Sequence, residues 1–352
     1  MTEEYACGRE FDVYLEDHES GQQCRIDKTQ TPFDAEFGYR LNFFSSAALV
    51  ADTTQCCPDC VPLAGHHDLV FFDETANMER WRGPVDFINS TESQLIVQAH
   101  DPTYLAWTNR RFYDRIERVN VDSAAVLAEV LQHADRSGDP LDLEYAVEST
   151  GILTDISAPE SSPLSDQMAL QTLSADYTYI GNREVLVGDV SSSNPSIELN
   201  ATHWQNGAPE VSENLDQIAS EVVVHNPSFD IVAVFPENAD PATAIQNYGR
   251  VLTKHIEVNG LTSQNQAAAI ARSEWRRLQV GLSLTTGREA TISSGFPVQR
   301  DDLVPGLTLA AGDLSVCIDV EDAAIRLTEV RFELESCRET AVKVGIEPAR
   351  VA

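Results

Sequence analysis

The chain has 352 residues, and its 56 Asp plus Glu against 24 Lys plus Arg give a formal net charge of −32. Lys28, Lys254 and Lys343 are the only lysines, so almost all the positive charge is arginine. A surface this negative excludes nucleic-acid binding through phosphate contacts, and with no run of about 18 apolar residues and no basic segment leading into an apolar one, neither a membrane span nor a secretory signal is expected.

Residues 1–112 read as a β-rich domain. Apolar and polar residues alternate in Phe11–Leu15, Tyr39–Phe43, Leu69–Phe72 and Leu95–Val97, the period of a half-buried strand. Gly21, Gly38, Gly65 and Gly83-Pro84 punctuate them as turns, and Trp81 before Gly83-Pro84 suits the corner of a barrel.

Residues 113–195 read as an α/β segment. Ala125, Val126, Leu127, Ala128, Val130 and Leu131 recur at helical spacing after Asp122 or Ser123 as N-cap, with Gly138 as a stop. A loop at Ser157–Pro163 leads to a shorter helix near Ser165–Leu173, capped by Ser165 with Asp166 in its first turn. Tyr177–Ile180 and Val185–Val187 flank Gly181-Asn182, a two-residue hairpin turn, and Asp189–Pro195 reads as a linker.

Residues 196–352 form a mixed domain. A long helix from about Ser263 to Gln279 carries Ala267, Ile270, Ala271, Trp275 and Leu278 on one face. Val280–Thr285, Glu289–Ser293, Leu314–Val320 and Ile325–Leu334 alternate as a second antiparallel set. The fold class expected is therefore α+β, with an antiparallel set at each end and an α/β segment between.

Candidate chemistry centres on cysteine. Cys56-Cys57-Pro58-Asp59-Cys60 contains a C-x-x-C pair that can supply two zinc ligands from one turn, and Cys7 and Cys24 can complete a tetrahedral set with Cys57 and Cys60. Disulfides and small buried thiols are the competing readings; Cys317 and Cys337 read as core residues or one bridge. His66-His67-Asp68 is the best acid/base cluster, but in so acidic a chain a His beside an Asp arises by chance. His100-Asp101 and Asp301-Asp302 likewise read as surface or turn residues. No nucleophile elbow, zinc-protease helix or phosphate-binding glycine loop is present, so no enzyme is expected. The paired Arg110 and Arg111 beside Trp107 should fork onto carboxylates.

The acidity is spread along the whole chain rather than gathered in a tail. In dilute buffer such self-repulsion opposes a compact state, but at molar salt the Debye length falls to roughly 3 Å. Carboxylates then hold water while the alkyl stem of a lysine would be salted out. Both biases fit a protein of a halophile.

Several of these segments, in their order, resemble the hub-type minor tail proteins of long-tailed phages, here from a tailed virus of a halophilic archaeon. The resemblance rests on Trp81 to Val85, Ala99-His100-Asp101, the Leu-x-Trp-x-x-Arg-Arg of Leu105 to Arg111, the helix after Asp122, the hairpin from Tyr177 to Gly188, and Asp302 to Gly306. It implies two tail-tube-like β-barrel or sandwich domains per subunit and a homotrimeric ring at the virion tail tip. Such a ring joins the tail tube or a distal tail protein to a central fibre or spike and to tape-measure protein, around the channel through which DNA leaves. It carries over no catalytic or cofactor residue. A zinc-stabilised binding module and an envelope-degrading tail hydrolase are the alternatives.

Overall fold

The computed structural model describes residues 9–25, 33–52, 62–91, 93–135, 140–190, 193–205, 210–213, 218–278, 282–285, 290–312, 323–335 and 338–350. Its first strands are β1 (Phe11–Asp17), β2 (Gln23–Arg25), β3 (Phe33–Arg40), β4 (Ser46–Asp52), β5 (His67–Asp73), β6 (Met78–Ser90) and β7 (Gln94–His100). They pair antiparallel in the order β3-β4-β7-β6-β5-β1-β2. Alternation sets the face: Phe33, Ala35 and Phe37 of β3 lie opposite Ala51, Leu49 and Ala47 of β4, which face Leu95, Val97 and Ala99 of β7, and all of them are buried. Phe37 stacks on Phe332 at 5.0 Å and meets Phe11 and Phe71. Each of these rings contributes about 1.5–3 kcal/mol by leaving water.

Gly83-Pro84 is not a turn. It lies inside the 13-residue β6, with Pro84 in register with Asp68 of β5. What changes there is the partner, since residues 78–84 pair with β5 and residues 85–90 with β7. Proline has no amide to give a ladder, so it is accommodated where the pairing switches.

Helix α1 (Tyr104–Thr108) leads into the middle unit: β8 (Ile116–Asp122), α2 (Ser123–Asp135), β9 (Glu144–Glu148), β10 (Leu153–Ala158), α3 (Leu164–Gln171), β11 (Asp176–Tyr179) and β12 (Glu184–Gly188). β8 pairs with β10, and β12 lies between β11 and a parallel β9. The expected helix after Asp122 is α2; Asp122 Oδ1 accepts from the Ala124 amide at 2.9 Å, and Val126, Leu127, Val130 and Leu131 are buried. Gly138 lies outside the described residues. Two local readings are corrected. α3 is preceded by Pro163, not capped by Ser165, because proline already sets the backbone angle of a helix entry. The β11–β12 connection is longer than two residues, with Gly181, Asn182 and Arg183 all at positive φ.

The remaining elements are β13 (Ser193–Leu199), β14 (Glu210–Glu213), β15 (Glu221–Asn226), β16 (Ile231–Phe235), α4 (Pro241–Tyr248), β17 (Thr253–Glu257), α5 (Gln264–Arg277), β18 (Leu282–Thr285), β19 (Ala290–Thr291), β20 (Thr308–Ala311), β21 (Ala323–Glu335) and β22 (Arg338–Arg350). Part of the expected linker is thus strand β13, parallel to β20. Leu314–Val320 lies outside the described residues. The long helical pattern is α5, with Ser263 Oγ accepting from the Gln266 amide at 3.1 Å. Its buried face, Ala267, Ile270 and Ala271, covers Val222 and Val224 of β15 in a second core separate from the main one. Among the described residues no helix is long and apolar enough to cross a membrane.

β21 is the hinge of the topology. One side of it carries β22 along its length; the other carries β20 at residues 324–326 and β3 at residues 329–335. The sheet therefore runs across the boundary between residues 1–112 and 196–352. It also returns on itself, because Glu10 beside β1 bridges Arg338 at the start of β22 and the Glu339 amide donates to the Arg9 carbonyl at 3.4 Å. The circuit β1-β5-β6-β7-β4-β3-β21-β22 is closed by the C-terminal hairpin.

Candidate functional site

Most of the segments that carry the resemblance meet at one joint between the closed sheet and the middle unit. Asp101, at the end of β7, is fully buried. Its Oδ2 accepts from the Ser45 hydroxyl at 2.7 Å and from the Ser45 amide, and its Oδ1 accepts from the Thr103 amide at 2.9 Å and hydroxyl at 2.6 Å. Burial raises the Asp101 carboxyl above its ordinary value against the pull of these donors. Trp81, also fully buried, donates its indole N–H to Ser45 Oγ at 3.2 Å. A Cβ on Gly83 would stand 1.9 Å from the His100 carbonyl oxygen, so only glycine lets β6 approach β7 here. Trp81, Gly83 and Asp101 are thus one packing unit.

On the other side of the joint, the Trp107 indole N–H donates to the Tyr177 hydroxyl at 2.6 Å. The Tyr177 amide donates to Asn42 Oδ1 at 2.9 Å, and the Asn42 amide returns a bond to the Tyr177 carbonyl at 2.8 Å. Burial raises the Tyr177 hydroxyl above its ordinary range. Gly181, at φ +85°, lies against Arg80, whose carbonyl would be 1.8 Å from an added Cβ. Next to it Asp73, fully buried, meets Arg80 at 3.2 Å and Arg9 at 3.3 Å. Asp301 pairs with both arginines, reaching Arg80 at 2.5 Å, and the hydrogen bond from Arg9 holds its carboxyl below the ordinary value. Asp301 belongs to an ion network rather than to a bare turn, and it ties the Asp302–Gly306 segment to Arg9, just before β1, and to Arg80 of β6.

The acid/base candidates do other work. Asp68 is 3.2 Å from Arg82, which also binds Glu16 at 3.0 Å and Glu79 at 2.9 Å. Consecutive residues of a strand point to opposite faces, and His67, buried, accepts the Leu63 amide on Nδ1 at 3.2 Å. His100 pairs with Asp86 at 3.2 Å, not with Asp101. Arg111 meets a hydroxyl and a ring instead of the expected carboxylate: it donates to Ser161 Oγ at 2.9 Å and lies 5.6 Å over Tyr113.

Of Cys7, Cys24, Cys57 and Cys60, only Cys24 is among the described residues. It is buried on β2 and bonded in a disulfide, and a disulfide sulfur offers zinc no thiolate while the bond is closed. Among the described residues no three His, Cys, Asp or Glu side chains are grouped to hold a metal ion. A cleft of about 560 Å³ lies between the end of α5, β11 and β21–β22. Within it Arg326 pairs with Asp176 and, at 3.4 Å, with Glu347, and Arg277 pairs with Glu274 at 2.6 Å.

The geometry describes a joint, and the fold around it has counterparts among solved structures. The 43 kDa tail protein of prophage MuSo2 from Shewanella oneidensis superposes with a TM-score of 0.56 at 12% identity, over 95% of this chain and 97% of that one. The fold is similar to that of a prophage tail protein. The prophage tail protein gp18 from Listeria monocytogenes gives a TM-score of 0.59 at 10% identity, over 97% and 95% of the two chains. A chain of the Francisella PdpA–VgrG complex gives 0.51 at 9% identity, with 97% of this chain matching 53% of that one. No family model matches the sequence, and no curated protein matches it significantly.

Proposed function

We propose that this chain is a structural subunit of the tail tip of a virus infecting a halophile, a hub that self-associates into a homotrimeric ring. The ring joins the tail tube, or a distal tail protein, to a central fibre or spike and surrounds the DNA exit channel. The observation that carries this reading is likeness to prophage tail proteins along essentially the whole length of both chains, and the likeness to a chain from a VgrG complex favours a spike as the central partner. In this reading the closed circuit of β1, β3–β7, β21 and β22 is one tube-like module, and β13, β19 and β20 belong to the second, which shares the long β21–β22 hairpin with it. The interior of the joint is filled by packing and hydrogen bonds, as a load-transmitting subunit requires.

Virus particles purified in molar salt test it. Mass spectrometry should find the chain in the virion, and density should place it as a ring at the tail tip. A chain that is monomeric and absent from particles would sink the proposal. A zinc set of Cys7, Cys24, Cys57 and Cys60 requires the Cys24 disulfide to open, so metal analysis of the reduced and the oxidised protein decides it: about one zinc per reduced chain supports the set, and none in either form removes it.

A further inference from the structure

Residues 219–278 are a unit inserted into the rest of the chain. β14 before it and β18 after it pair antiparallel, from Glu210 with Thr285 to Glu213 with Leu282, so the chain enters and leaves along one two-stranded stem. The Ala219 amide donates to the Leu278 carbonyl at 3.3 Å, which joins the two ends of the unit. Between them stand β15, β16, α4, β17 and α5 around a core of their own. Apart from Leu170 of α3, every buried residue of that core lies within 219–278, and the main core takes none of its residues from this stretch.

The face that docks on the middle unit is mostly polar. α5 lies against β10. There Asp155 Oδ1 accepts from the Asn265 side-chain amide at 3.1 Å, and the Asp155 carbonyl accepts from Gln266 Nε2 at 2.8 Å. Gln266 is buried and held by its own unit, its Oε1 accepting from the Thr262 amide at 2.8 Å. Asp155 is presented by an irregularity in the β8–β10 ladder, where Val119 and Asn120 stand opposite it alone, Asn120 at positive φ. Such a bulge interrupts the pairing and re-aims a side chain, and the Asn120 amide fixes the re-aimed carboxylate at 2.8 Å. At its other end α5 stands over the cleft of about 560 Å³ already described. The helix is thus fastened at its beginning and faces a gap at its end.

Units of one chain move against one another unless a large apolar contact holds them. α5 has 14 residues, about 21 Å of helix at 1.5 Å per residue. The fastened end is the one remote from the stem, so a turn of roughly 10° about the stem carries Asn265 and Gln266 roughly 4 Å from Asp155, beyond hydrogen-bond reach. We propose that residues 219–278 swing as one body on the β14–β18 stem, between the docked arrangement seen here and one in which α5 has left β10, with Asp155 as the latch that sets the balance. The motion belongs to a single chain and needs no second copy.

Distances within the full chain test it. Nitroxides on keto side chains introduced at Glu160 of the middle unit and Ile245 of α4, both exposed, leave the native cysteines untouched and are read by double electron–electron resonance. Asp155→Ala should lower the ratio of docked to undocked chains roughly tenfold and add a second distance to the parent's. Asn265→Ala, at an exposed position, should do the same to a smaller degree. Hydrogen exchange separates a swing from local unfolding, since the amides of β15 and of the middle of α5 should keep the parent's protection. Distances that stay the parent's in every variant keeping that protection overturn the swing. A second distance that appears only where the protection is lost also overturns it, because the unit is then melting.

Discussion

Asp101 is a carboxylate whose four donors are hydroxyls and amides, with burial working against its charge. Removing it strands those donors, and Asp101→Ala should cost about 3 kcal/mol of stability, read from the urea midpoint in molar salt. Gly83→Ala should cost at least as much, about 3 kcal/mol or more, because the intruding methyl meets a backbone carbonyl that cannot rotate away. Asp301 has a pH signature. Its folded carboxyl lies below the ordinary 3.8, so the stability it adds is present above that value and is lost as pH falls through the folded one. Asp301→Asn should therefore destabilise by about 1 kcal/mol at neutral pH, a modest figure because the side chain is half exposed. That difference from the parent should vanish in acid titrations carried below the folded value. The resemblance drew attention to Trp81, Gly83 and Asp101, but by their local sequence Gly83-Pro84 reads as a turn and Asp101 as a surface or turn residue, where the structure has a strand interior and a buried carboxylate. Ser45 gave no such sign, because it meets Asp101 across 56 positions and a serine just before a strand has no local signal of a buried partner.

Elements with a strong period were the ones that could be read. α2 and α5 follow their apolar spacing, and β1, β5 and β7 their alternation. β22 was missed although Val342 and Val344 alternate inward, because charged residues and Pro348 mask the pattern. β15, β16, α4 and β17 were missed despite the apolar run Val222–Val224 and the Asp240-Pro241 helix start. Pairings were harder than elements. Nothing local says that Glu329–Glu335 lies against Asp34–Arg40, since alternation fixes a face but names no neighbour. The pairing has a mechanical test. A chain cut before Arg338 should lose the cooperative unfolding of the β1–β7 region, because β21 would lack its long partner and the circuit its bridge. Loss of a single sharp urea transition, with near-ultraviolet dichroism gone, is the expected result; an intact transition would show that β1–β7 folds alone.

For the whole molecule, charge and topology act together. Lowering the salt from about 1 M to about 0.1 M lengthens the Debye length from roughly 3 to roughly 10 Å, and with a net charge of −32 the urea midpoint should fall steadily along that series. A flat series would separate the acidity from salt adaptation. The closed circuit adds a matter of timing. Ala323, where β21 begins, is synthesised some 280 residues (323 minus 40) after β3 is complete, a wait of roughly 15–60 s at ordinary rates of translation. Through that interval β3 has an open side, and in the saline host proposed above the salt would drive exposed apolar surface together. Asp34 and Glu36 lie along that side, Asp34 exposed, and like charges on an open edge keep nascent chains apart. Under that proposal, the acidity that would suit a finished particle to brine would guard the unfinished chain on the ribosome as well.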